Sequence, residues 1–366
     1  MMVRPLQLLT TGLLTLTLFT QSLAACINTS YSRLDEVEIT DDLLPLILGS
    51  FPHHGDAFYE HEILRTKKIL VHKPDNFEAR NDLGAAYTKL GHWSLAQSEF
   101  EKNEKLHPGR YETASNLGVM FKKKGDYKQA GNYIKKALEI KPGGHMGLGD
   151  YYLKMIQWLK NIESADIIEK NFLGIRYDAG PEATARVANE EYVVTLIKND
   201  YQYADAYIVL GDILFAKGSL QLALRAYLRV SSLPGEPSYI DWTTSQQRIR
   251  EINKIWSKQK NFLQISDRFG GQAQVQQEFK QAQDWLLHFQ EVEADLISKD
   301  NKTPFAATLA EMKSRGITRA TVIQAGTYKG FAYDITSLLF ILAIGLAITA
   351  YIISFILRRR RRTRHP

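Results

Sequence analysis

Leu83-Gly84-Ala85-Ala86-Tyr87, followed by Leu90-Gly91-His92-Trp93, decides how this chain is read, because it returns 34 residues later. There it becomes Leu117-Gly118-Val119-Met120-Phe121 and Lys124-Gly125-Asp126-Tyr127. The correspondence continues: Ala96 aligns with Ala130, Phe100 with Ile134, Leu106 with Ile140 and Pro108 with Pro142. Each unit reads as two helices joined at the second glycine. Gly84 and Gly118 leave room for a neighbouring helix, as do Ala96 and Ala130. The prolines stop the second helix, since proline cannot continue a helix interior. A period of this length marks a stacked array, in which each unit buries its apolar face on the next.

This pattern resembles the tetratricopeptide repeat, over residues 77–110 and 111–144. A third copy, residues 204–237, carries Tyr207, Leu210-Gly211, Leu214, Gly218, Leu220, Ala223, Tyr227 and Leu233. It is out of phase with the first two, so the array is interrupted within 145–203. There Tyr151-Tyr152, Met155 and Trp158-Leu159 recur at helical spacing, and Asn171 to Gly174 and Asp178 to Pro181 read as breaks. Upstream, residues 57–73 read as a lone second helix with Pro74 at the repeat end, a cap for the array. Downstream, one helix is expected from Ser245 to about Leu263, with Ile249, Ile252, Trp256 and Leu263 near one face. Another is expected over 272–298, its Val275, Phe279, Ala282, Leu286 and Phe289 spaced by fours and threes as in a coiled-coil seam, which serves packing within the solenoid or, as the alternative, dimerisation. A short helix follows from Pro304 to Ser314. The expected fold class is all-α: a tetratricopeptide-type α-solenoid plus one C-terminal transmembrane helix.

Charge places the two ends of the chain. The 366 residues hold 46 Lys+Arg and 40 Asp+Glu, a net charge of +6. Seven of the cations (Arg4 and the arginines of 358–364) and one acid, Asp334, lie outside 26–333, so the body is neutral. A basic tail without interleaved aromatics does not make a nucleic-acid groove. Residues 1–25 read as a signal peptide, with Arg4, an apolar stretch over 6–19, and small residues at Ser22 and Ala24. Leu23-Ala24-Ala25-Cys26 resembles the lipobox of bacterial lipoproteins, which makes Cys26, the single cysteine, a lipidation candidate; plain cleavage after Ala24 is the alternative. Ile335 to Leu357 carries no charge, and 23 residues as a helix reach roughly 35 Å, enough to span a bilayer. Arg358 to Arg362 then place the C-terminus in the cytoplasm. An apolar stretch ending in arginines also resembles bacterial sorting tails that are cut and exchanged for an anchor, but no sorting recognition sequence precedes it. The expected organisation is a signal peptide (1–25), an N-terminal extension (26–56), a solenoid (57–237), additional helices (238–316), a juxtamembrane linker (317–334), a transmembrane helix (335–357) and a basic tail (358–366). The expected location is the bacterial inner membrane, single-pass, with the body periplasmic or extracytoplasmic.

Catalytic chemistry has few footholds. His53-His54-Gly55-Asp56 with Glu60, His61 and Glu62 is the densest set of potential ligands, and His53, His54 and His61 are weak metal candidates. The competing reading makes Pro52 to Gly55 a turn and Asp56 the cap of the next helix. Arg65 stands where a zinc-protease helix needs its second histidine. The glycines of 143–149 fit no phosphate-binding pattern, there is no Gly-x-Ser-x-Gly elbow, and no cofactor is implied.

What remains is a binding surface for a protein or peptide partner. The family resemblance implies a groove lined by the first helix of each repeat: Glu78, Asn81, Ala85 and Thr88; Glu112, Ser115, Val119 and Lys122; and Asp205, Ile208, Asp212 and Phe215. Asn116 fits one position of the family's carboxylate-clamp variant, whereas Ala85 and Val119 do not fit the others. The expected function is a membrane-tethered scaffold or adaptor. A metal-dependent enzyme at the histidine cluster and a receptor subunit are the rival readings.

Overall fold

The structure is a computed structural model that describes residues 42–144, 148–162, 169–233, 239–258, 272–299 and 304–319. Among the described residues it is helical throughout, apart from one isolated bridge between Lys170 and Arg176. The signal segment, Cys26, the predicted span 335–357 and the basic tail lie outside the described residues. Among the described residues no helix is long and apolar enough to cross a membrane.

The helices fall where the repeat pattern puts them. α1 is Leu43–Leu48 and α2 is Asp56–His72. The first repeat is α3 (Phe77–Lys89) with α4 (Trp93–Leu106), and the second is α5 (Tyr111–Lys123) with α6 (Tyr127–Ile140). Asn76 and Asp126 cap α3 and α6, their side chains accepting from Ala79 N at 2.7 Å and Gln129 N at 3.0 Å. Gly125, in the turn between α5 and α6, has φ +85°, a left-handed conformation that favours glycine. α2 begins at Asp56, so Gly55 takes the cap position in place of the expected Asp56.

The interruption of the period has a physical shape. Beyond α7 (Gly149–Lys160), the described residues 169–180 include a 3-10 turn over Tyr177–Ala179 and lead into the short α8 (Pro181–Val187) and α9 (Glu190–Asn199). α8 and α9 both pack on α10 (Ala204–Ala216), the first helix of the third repeat, which pairs with α11 (Leu220–Val230). With neighbours on every side, Asp205 to Leu214 are all buried.

α12 (Tyr239–Ser257) starts six residues earlier than the pattern suggested, with Ile249, Ile252 and Trp256 buried as expected, whereas Leu263 lies outside the described residues. α13 (Gln272–Ser298) and α14 (Pro304–Ser314) match their expected bounds. α13 packs on α11 at its start and on α2 further along, so it ties the last repeat to the first helix of the array. Of its seam residues, Val275, Phe279 and Ala282 are buried in the cluster shared with α11, Phe289 in a second cluster shared with α14, and Leu286 is half-buried. At the α11 end, Arg225 donates from Nε and Nη2 to the two oxygens of Glu278 at 2.7 and 2.8 Å. At the α2 end, the carboxylate of Glu293 accepts from His54 Nδ1 at 2.5 Å and from Gly55 N at 3.0 Å. α1 fits between α9, α11 and α13.

Candidate functional site

The strap formed by α1 and α13 changes what the predicted groove can do. Of its residues, Asn81, Ala85, Thr88, Ser115, Val119, Asp205, Ile208 and Asp212 are buried. Ala85, Val119 and Ile208 belong to one apolar cluster that also holds Leu46, Ile47 and Leu48 of α1 and Phe51. At these positions the face expected to be open is therefore part of the apolar core. Only Glu78 is exposed, and Glu112, Lys122 and Phe215 are half-buried. Asn116, the clamp-like position, is buried too.

Asp205 and Asp212 form part of a polar core. Asp205 accepts from Phe172 N and Tyr177 Oη, both at 2.7 Å. Asp212 accepts from Tyr227 Oη at 2.8 Å and Arg248 Nε at 2.9 Å, and Arg248 Nη2 reaches Tyr177 O at 2.8 Å. Burial, reinforced by the nearby Asp241, pushes the Asp205 carboxyl well above the usual range. Burial raises Asp212 as well, against the opposing pull of Arg248. These groups hold the third repeat to the loop before α8 and to α12.

The histidine cluster does not converge. His53 stacks on Tyr201 with ring centroids 4.0 Å apart, whereas His54 stacks on Phe58 at 3.7 Å and is held by Glu293. His61 sits further along α2, half-buried. Among the described residues no group of three or more His, Cys, Asp or Glu side chains is placed to hold a metal ion.

Two adjoining cavities of about 450 and about 680 Å³ form a trough among the described residues. Both are lined by Asp56, Lys89, Lys123, Asp200 and Gln202. The smaller adds His53, Lys198 and Gln290; the larger adds Trp93, Lys122, Leu159 and Tyr203. Thr88 and Lys122 are the predicted groove residues that line it, and Lys122 pairs with Asp200 across it. Lys89, Lys123 and Lys198 were not among the predicted residues. Each lies in the last turn of its helix, where a cation complements the helix dipole, so nothing in the sequence distinguished them from ordinary helix ends.

Two family models, each described as a tetratricopeptide repeat, match residues 111–143 and 185–237. The first covers the second repeat. The second takes in the third repeat and reaches back through α9, which thereby stands in the place of a preceding second helix. No curated protein matches the chain. The chain thus carries tetratricopeptide repeats in an all-helical solenoid, and such repeats generally mediate protein–protein interaction.

Proposed function

We propose that this protein is a membrane-tethered scaffold or adaptor that holds a partner protein in the periplasm or extracytoplasmic space. The observation that carries the interaction reading is the solenoid itself, buried at most positions of its expected groove, with a trough beside it whose lining mixes lysines with aromatic rings. The uncharged stretch 335–357 and the arginines after it support the tether, and the signal-like segment 1–25 supports export. The partner is a protein or peptide. Photo-crosslinking from a benzophenone residue introduced at Gln202, in cells producing the full chain, tests the interaction. The expected result is a discrete adduct that is lost when the crosslinker is moved to the exposed Glu78 outside the trough. An alkaline phosphatase reporter tests the topology. It is expected to be active after Thr303 and silent after Pro366, and silence at both positions rules out export of the body.

A further inference from the structure

We propose that the outer face of α2 is a dimer interface, on which a second copy of this chain docks its own α2 antiparallel, with Leu64 on the two-fold axis.

The face is defined by what the fold leaves uncovered. α2 packs on α3 and α13, and its buried residues Phe58, Tyr59, Glu62 and Thr66 mark that side. On the opposite side Leu64 is 69 % and Val71 76 % exposed, with Glu60, Lys67 and Lys68 exposed beside them. Single exposed aliphatic side chains are ordinary on a protein surface. These two are the most exposed large apolar residues among those described, and they share one line along the helix. With the half-buried Ala57, positions 57, 60, 64, 67 or 68 and 71 recur by threes and fours, the spacing of a helix-packing seam. A helix that only capped the array would carry polar residues there. None of Glu60, Leu64, Lys68 and Val71 lines the trough, so this contact is separate from the one proposed for the partner.

Charge selects the occupant and its direction. About Leu64 as centre, the face complements an antiparallel copy of itself. Glu60 comes opposite Lys68 of the other copy, the small Ala57 opposite Val71, and Leu64 opposite itself. The acid–base pair therefore forms twice. A parallel copy in register would set Lys68 against Lys68 and Glu60 against Glu60, which costs energy. Lys67 stays with its own chain, 5.6 Å from the centre of the Tyr87 ring, so the direction rests on Glu60 and Lys68. Such an isologous contact closes with two copies. One helix pair buries less area than a standard interface, so the dimer is expected to depend on concentration.

The test uses the full chain in detergent, with Cys26→Ser so that an introduced cysteine is the only one. Leu64→Cys is expected to give a disulfide-linked dimer on mild oxidation, because the two copies of this position meet on the axis. Val71→Cys is expected to give none, since the two copies of that position lie roughly 21 Å apart along the helices. Sedimentation then reads the charge pair without introduced cysteines. Glu60→Lys and Lys68→Glu are each expected to weaken the dimer about tenfold, and Glu60→Lys/Lys68→Glu to restore it. Circular dichroism checks that each variant keeps wild-type helicity. A chain that stays monomeric overturns the proposal, as does equal crosslinking at 64 and 71. A dimer that ignores the single charge reversals, or that the double reversal fails to restore, overturns it too. A monomer in which Leu64→Cys resists a thiol reagent would overturn it in favour of an occupant from the same chain.

Discussion

Gly118 on α5 lies against Ile134 on α6 so closely that a Cβ built on the glycine would stand 2.5 Å from Ile134 Cδ1 and 3.2 Å from its backbone nitrogen. Gly84 meets Phe100 and Gly211 meets Tyr227 in the same way, each partner sixteen positions further along. The repeated glycine is thus a packing position, and the residue that fills its space is itself part of the repeat. Gly118→Leu should cost at least about 1–3 kcal/mol through overpacking, read as a lower urea midpoint. Gly131 on α6 is the control, since its nearest neighbour would be 3.7 Å from an added Cβ. Gly131→Ala should leave stability unchanged or raise it by up to about 1 kcal/mol. Equal losses at both positions would refute the packing role of Gly118.

Val119 looks like a groove residue in sequence but is 3 % exposed. Val119→Glu therefore buries a carboxylate with no partner in an apolar cluster. The cost should be on the order of 3–5 kcal/mol, comparable to an uncompensated buried charge. A variant melting within a degree or two of the wild type would mean that this face is open.

Arg225 and Glu278, 3 % and 6 % exposed, fasten α13 to α11. Glu278→Gln leaves the buried guanidinium without its counter-charge and should cost about 3–5 kcal/mol. Replacing both, as Arg225→Met/Glu278→Leu, should recover most of the loss, because no charge then needs solvation. Hydrogen exchange should report faster amides in α13 for the single variant while α5 and α6 keep their protection. Uniform acceleration would show that α13 is not a separable strap.

Asp205 makes stability depend on pH. Its pKa is raised by burial, so the folded chain holds the proton more tightly than the unfolded chain does. Stability from this group is complete below the unfolded value of about 3.9 and is lost as pH rises toward the raised folded value. Asp205→Asn removes the titration, its amide oxygen still accepting from Phe172 N and its amide nitrogen able to donate to the Tyr177 oxygen. The wild type should therefore lose ground to the variant as pH rises above about 4. A gap that does not change with pH would exclude the raised pKa.

The sequence by itself determined the repeat and its helices. Gly84, Gly118, Ala96, Ala130 and the prolines at 108 and 142 encode contacts between helices close in the chain, and local spacing suffices to read those. The bounds of α13 and α14 followed from periodicity for the same reason. The tertiary structure alone decided which face is open. Burial of Ala85 or Val119 depends on whether a distant segment docks there, and neither side chain differs in a filled and an empty groove. The His54–Glu293 bond joins positions 239 residues apart, and Arg225–Glu278 joins positions 53 apart. Neither has a local signature, because a histidine or glutamate on a helix reads the same whether it meets water or a partner. The lysines of the trough share that ambiguity: each stands at its own helix end, and only the arrangement of α3, α5 and α9 in the folded array makes them neighbours.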